Sequence, residues 1–150
     1  MIVFAIAANV VAGVATISSG ALDDRFGAKP LIVVSLVGLI VCGTAVFVLH
    51  DGGQTVFWVF GLLLSLFVGP AQSASRTLLA RVIPRGREGE VFGLYATCGR
   101  AAVFIAPTLF GVFVAIGGAQ YWGILGIVLV LLIGLLLLLP VKAVPVRAAS

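Results

Sequence analysis

Five long apolar runs dominate the sequence and restrict the folds open to it. They occupy about residues 1–19, 31–49, 56–76, 91–116 and 122–141. A helix needs about 20 mostly apolar residues to cross a hydrocarbon core of about 30 Å, so each run is long enough to span a bilayer. A mean hydropathy of +1.30, with nine basic and five acidic residues in 150, leaves too few polar side chains to cover a soluble domain. The runs therefore predict an all-α membrane protein with five transmembrane helices.

Other interpretations of the apolar runs fit less well. The runs are continuous rather than alternating, and each is too long for a barrel strand of about 10 residues. The first run could be a secretory signal, but no basic residue precedes it and a charged hinge and a further span follow directly, so we interpret it as a span. The last run has no polar side chain, and we expect it to face lipid without contacting a solute.

All Lys and Arg residues except Arg100 lie on alternate connections or at the run ends beside them, which predicts the topology. Lys and Arg occur between runs one and two, between runs three and four, and after run five, whereas His50–Thr55 and Gly117–Tyr121 contain none. Short connections rich in Lys and Arg stay in the cytoplasm. We therefore expect an N-terminus outside and a C-terminus inside, with residues 142–150 as a cytoplasmic tail. The net charge of +4 then reflects topology rather than nucleic-acid binding.

The residue types needed for catalysis or metal binding do not occur together. Cys42 and Cys98 lie within predicted spans without metal-ligand or redox spacing, and we interpret them as buried small apolar residues. An intramembrane enzyme needs paired carboxylates or a Ser with a His base, and the one histidine, His50, lies at a membrane rim. We expect no enzymatic activity, no metal and no cofactor.

The stretch GALDDRFGAKP, 20–30, gathers two acids and two bases between the first two runs. On composition alone it could be a turn whose bases only set topology. Its residue order, however, resembles G-x-L-x-D-R-x-G-x-K, the pattern that joins the second and third helices of each half in the major facilitator superfamily of transporters. The resemblance implies a cytoplasmic latch between helices. It is carried by Gly20, Leu22, Asp24, Arg25, Gly27 and Lys29, while Ala28 stands where the family often has a second base.

A second polar stretch runs from Gly69 to Arg100. Helical spacing places Gln72, Ser75 and Arg76 on one face near the cytoplasmic end of the third span, where they would face the bundle interior or a vestibule. Arg76 and Arg81 could instead extend to the lipid headgroups.

Arg100 is the most unusual single residue. Counted from Val91 it is the tenth residue of the fourth span, about 14 Å along the helix and near mid-bilayer. A buried Arg normally has a partner, yet the five spans contain no acid. Three explanations remain: an anionic solute group, an acid on a part of the protein outside this chain, or extension along a tilted helix. Thr97 lies at i−3 and can share the site.

Several stretches in order resemble one branch of the superfamily, the vacuole-effluxer-like family of fungal amino-acid effluxers and their bacterial relatives. The resemblance covers about residues 20–126 and rests on GPAQSASR, ARVIPRGREGEVFGLY, CGRAAVFIAP and TLFGVFVAIGGAQYWGIL. It implies secondary transport of small solutes, with amino acids the best-known substrates, in a bacterial plasma membrane. Arg100, Gln72, Ser75 and Thr97 are the expected path residues.

The hinge position gives a register within a twelve-helix transporter. The five spans would be helices eight to twelve, within the C-terminal half. We expect the lipid bilayer and the missing N-terminal half as partners, and no transport by this chain alone. The alternative is a small membrane subunit that forms homo-oligomers through faces of small residues.

Overall fold

The computed structural model describes residues 1–142, which fold into five long α-helices and one short 3₁₀ turn, with no strand in that range. The helices are α1 (Ile2–Phe26), α2 (Ala28–Val48), α3 (Gly53–Val82), α4 (Glu88–Gly117) and α5 (Trp122–Leu138). The prediction of an all-helical protein is confirmed. Of the expected tail only Lys142 is described, and Arg147 lies outside the described residues.

Helices α1 and α3 continue furthest beyond the predicted spans. Helix α1 runs to Phe26 and ends at Gly27, whose φ of 90° is incompatible with a right-handed helix. Helix α3 runs to Val82, so that Arg81 is helical rather than part of a connection. At 25 and 30 residues these helices are about 37 and 45 Å long, so their last turns extend beyond a hydrocarbon core of about 30 Å.

Helix α5 is shorter than the predicted run, with 17 residues ending at Leu138 instead of residue 141. Pro140 cannot continue the backbone ladder, and a tighter turn follows in which the Val141 N–H donates to the Leu138 carbonyl at 3.1 Å. The other four helices are long and apolar enough to cross a membrane.

The packing order places α3 against α1 and α2, α2 against α5, and α5 against α4. The buried core is small: Ala28, Ile32 and Ala74 meet where α2 and α3 cross, with leucines of α2, α3 and α5 around them. Large apolar side chains are exposed along every helix. Such a surface suits lipid rather than water, as expected of an integral membrane protein.

Two glycines lie where helix backbones approach each other closely. A Cβ at Gly69 of α3 would lie 2.6 Å from the Ala12 carbonyl oxygen of α1 and would also collide with the Thr16 hydroxyl. A Cβ at Gly126 of α5 would lie 3.0 Å from the Leu109 carbonyl oxygen of α4. Without hydrophobic driving force between helices in lipid, such backbone contacts are a main source of packing energy.

An aromatic cluster closes the end of the bundle where α2 finishes and α5 begins. The His50 and Tyr121 rings stack with centroids 4.1 Å apart, and Phe47 packs against Tyr121 and Trp122 at 5.8 and 5.6 Å. Aromatic residues concentrate at membrane–water interfaces, so this cluster marks one boundary of the bundle.

Replacing Gly69 with Ala should separate α1 from α3, because the added methyl group meets backbone that cannot move independently. We expect a loss of about 1–3 kcal/mol in the free energy of unfolding, measured by thermal unfolding in detergent. Gly13→Ala is the matched control on α1, since a Cβ there has no atom within 4 Å and should leave stability unchanged or slightly higher. Equal stabilities of the two variants would contradict the packing.

Candidate functional site

Gly27 alone reverses the chain between α1 and α2. Its φ of 90° and ψ of 158° lie in a region that is essentially restricted to glycine, and the residue is buried. Its N–H donates to the Asp23 carbonyl at 2.8 Å, which satisfies one carbonyl at the end of α1. The turn therefore needs a glycine here, and it brings the last turn of α1 beside the first turn of α2.

An ion pair connects this turn to the end of α3. The guanidinium Nη1 of Arg81 donates to Oδ1 of Asp23 at 3.2 Å, and the Asp23 side chain is only 8% exposed. The neighbouring Asp24 is 84% exposed and approaches Arg81 Nη2 only at 3.9 Å. Asp23 is therefore the carboxylate that joins α1 to α3.

A second contact connects the same turn to the end of α5. The Lys29 ammonium donates to the Leu139 carbonyl at 3.0 Å and also to the Val141 carbonyl. The carbonyls at a helix C-terminus lack intrahelical donors and carry the negative end of the helix dipole, so a cation is favourable there. We call Asp23, Gly27, Lys29 and Arg81, with the two carbonyls after α5, the latch cluster.

The predicted latch residues fall partly within this cluster. Gly27 and Lys29 belong to it, and Asp24 lies at its edge. Gly20 has open space around its Cα, and the Arg25 guanidinium lies 5.7 Å from the Phe26 ring centroid. Leu22 lines an apolar groove between α1, α2 and α3 instead.

Sequence reasoning missed Asp23 and the role of Arg81. The sequence contains a signal for Asp23, namely its spacing of four from Ser19 and of eight from Ala15. These three are the buried residues of α1. Extending the helical phase of the first span through the acids would have selected Asp23 over Asp24.

A polar groove of about 320 Å³ lies between α1 and α3. All its lining residues are polar or glycine: Thr16, Gly69, Gln72, Ser73, Arg76 and Thr77. The structure therefore brings Gln72 and Arg76 together, as their spacing predicted. Thr16, Ser73 and Thr77 were not singled out from the sequence, since Thr16 comes from a distant helix and hydroxyl residues are common in membrane spans.

The other predicted path residues lie elsewhere. Ser75 does not line the groove, and its hydroxyl donates to the Ala71 carbonyl at 2.6 Å. Arg100 and Thr97 are exposed on α4, where the Thr97 hydroxyl donates to the Gly93 carbonyl at 2.9 Å. Helix α4 packs on α5 rather than on the groove helices, so the structure does not gather the four predicted residues into one site.

Arg100 lies close to the middle of α4, about 18 Å from its first residue in a helix about 45 Å long. Within residues 1–142 no carboxylate is within 4.0 Å of its guanidinium. Phe110 and Phe113 are partly buried against Gly123 and Gly126 of α5, and helical spacing turns them about 80° and 140° away from Arg100.

Residues able to bind a metal are dispersed. In the described part of the chain no three His, Cys, Asp or Glu side chains come together, and Cys98 is exposed while Cys42 is buried. The acids instead pair with bases or begin helices, as Glu88 and Glu90 do in the first turn of α4. The latch cluster and the polar groove are thus the two features of functional interest.

Apolar spans and charged helix ends are the features of a polytopic membrane protein, and comparison with known proteins agrees. Residues 1–147 match the model of the vacuole effluxer Atg22-like family, and the chain belongs to that family. It is also similar to the uncharacterized MFS-type transporter YxiO of Bacillus subtilis (strain 168), with 29% identity over 133 residues. No solved structure matches the chain.

The match with YxiO covers 87% of this chain but 30% of YxiO. The chain therefore spans less than a third of the curated relative that it matches. The names of the family and of the relative indicate a transporter rather than an enzyme.

Asp23→Asn should weaken the latch cluster, because it leaves the Arg81 guanidinium beside an uncharged partner in a nearly dry site. We expect a loss of about 1–3 kcal/mol in the free energy of unfolding, less than for a fully buried pair because Arg81 is a quarter exposed. Asp24→Asn is the matched control and should cost below about 0.5 kcal/mol. Thermal unfolding of both variants, each repeated with Arg81→Gln, gives the coupling energies. A larger coupling for Asp24 would assign the pair to the other acid.

Proposed function

We propose that this chain is the C-terminal part of a secondary transporter that moves small solutes across a membrane. The family match over almost the whole chain carries the proposal. The partial coverage of YxiO supports the view that a further part is needed to form a transporter. Within a twelve-helix arrangement α1 to α5 correspond to helices eight to twelve, with the latch cluster at the cytoplasmic end and the N-terminus outside.

The exposure of α4 supports the view that another part of the transporter covers this helix. Most residues of its first half are exposed, and the face opposite α5 carries Gly93, Thr97, Arg100 and Gly111. A face with a guanidinium near mid-helix suits a protein or an aqueous cavity better than lipid. We assign this face to the N-terminal half of the transporter and the space between them to the solute.

The solute path is assigned to Arg100, Thr97, Gln72 and Ser75, with amino acids as the first candidates because of the effluxer family, and the bacterial plasma membrane as the location. The latch cluster fixes the ends of α1, α3 and α5 relative to one another, so that they can move as a unit against the other half. A homo-oligomeric membrane subunit is the second candidate, because a second copy could also cover the open face of α4.

The two candidates differ in what the chain does alone. Reconstituted into proteoliposomes, the chain should take up no amino acid above the level of empty liposomes under a proton or sodium gradient. Co-expressed with the part of YxiO that precedes the matched segment, it should co-purify with that part and take up at least one solute of the panel. Cross-linking of two copies through α4, with no binding to the YxiO part, would favour the homo-oligomer.

Arg100→Ala should lower uptake by the completed transporter more than about tenfold if the guanidinium binds a solute group, since a charge-assisted contact contributes about 1.5–3 kcal/mol. Arg85→Ala, in the connection before α4, is the control with the same loss of charge and should retain uptake. Uptake by Arg100→Ala at the control level, with equal protein in the membrane, would exclude a role of Arg100 in the path.

A further inference from the structure

The polar groove between α1 and α3 contains a base without an acid. The chain has five acidic residues, and each is more than 4.0 Å from the Arg76 guanidinium. Asp23 and Asp24 lie beside Arg81, Asp51 lies beside His50 at the opposite end, and Glu88 and Glu90 begin α4. No carboxylate within residues 1–142 therefore neutralises the charge of Arg76.

Some polar side chains of the groove already donate within their own helix, and others do not. Thr16 donates to the Ala12 carbonyl at 2.7 Å and Thr77 donates to the Ser73 carbonyl at 3.2 Å, so their protons are used within their own helices. Gln72 and Ser73 make no side-chain hydrogen bond within residues 1–142. Together with Arg76 they supply an amide, a hydroxyl and a guanidinium as donors at one site.

The polar lining of the groove makes lipid tails a poor occupant. No residue of α2 lines it, and its walls contain no large apolar side chain, in contrast to the apolar groove on the other side of the α1–α3 contact. Gly69 closes it at the point where the α1 and α3 backbones meet. Arg76 lies about 9 Å from the end of α3, deeper than Arg81 of the latch cluster.

We propose that this groove is a binding site for an oxyanion, a carboxylate or a phosphate group, held by Arg76 with help from Gln72 and Ser73. A planar guanidinium matches the two oxygens of such a group, and the uncharged donors complete its shell without adding a competing acid. The oxyanion belongs either to a solute in the transport path, which rests on the proposed function, or to the headgroup of an anionic lipid.

The site is tested by protection of a cysteine in the groove. Thr77→Cys is placed in the full chain with Cys42→Ala and Cys98→Ser, and the purified protein is held in phosphatidylcholine nanodiscs. The rate of labelling by uncharged N-ethylmaleimide is measured in sodium acetate, in inorganic phosphate and in chloride at equal ionic strength. We expect slower labelling in acetate or phosphate, by at least about twofold once the site is half occupied.

Matched variants separate the site from general effects. Val82→Cys is exposed at the end of the same helix, outside the groove, and should show no protection. Arg76→Gln should abolish the protection at Thr77→Cys, and Arg76→Lys should retain part of it, while circular dichroism confirms that both variants are folded. If neither variant folds, Gln72→Ala, which keeps the charge, should reduce the protection.

Nanodiscs that also contain phosphatidylglycerol distinguish the two sources of the oxyanion. Protection by this lipid, dependent on Arg76, assigns the site to headgroups; protection by the soluble anions alone assigns it to solutes. Labelling that none of the anions slows, or protection that persists in Arg76→Gln, would overturn the proposal. The measurement involves no transport, so it fails independently of the proposed function.

Discussion

A charge in an apolar bundle must reach water, find a partner or face a polar cavity, and this constraint organises one end of the protein. The end where α1 finishes also holds the start of α2 and the ends of α3 and α5. There the Arg81 guanidinium meets the buried Asp23 carboxylate, and the Lys29 ammonium meets carbonyls that α5 leaves without donors. Arg81 thus connects the ends of α1 and α3, and Lys29 connects the start of α2 to the end of α5. Gly27 forms the turn between α1 and α2. The opposite end is closed mainly by stacked aromatic rings.

The two ends therefore respond differently to movement. Ionic contacts at helix ends are directional, and they can be exchanged for water when the helices move apart. Glycine contacts such as Gly69 with Ala12 resist separation because backbone meets backbone. In the proposed transporter, such a bundle would move as one body, and its charged end would form or lose contacts with the other half. That property suits the proposed transporter half.

The fold class and the approximate helices could be predicted because long apolar runs have few alternatives in a membrane. The ends of the helices could not, since a charged residue is compatible with either a helix or a turn. The choice between Asp23 and Asp24 shows this: the family pattern selects Asp24, whereas helical phase places Asp23 on the buried stripe with Ser19. Pairing with Arg81, 58 positions away, depends on how α1 and α3 cross, which no local pattern specifies.

The bases of the structure follow one rule, that pairing depends on whether the surrounding face is covered. Arg81 and Lys29 lie where helices of this chain meet, and both have partners. Arg76 and Arg100 lie on faces that residues 1–142 leave open, and neither has an acid within 4.0 Å in that range. Any surface that covers these faces meets two positive charges. It must therefore bring acids of its own, enclose water, or leave room for an anion, and the last two are what a solute path requires.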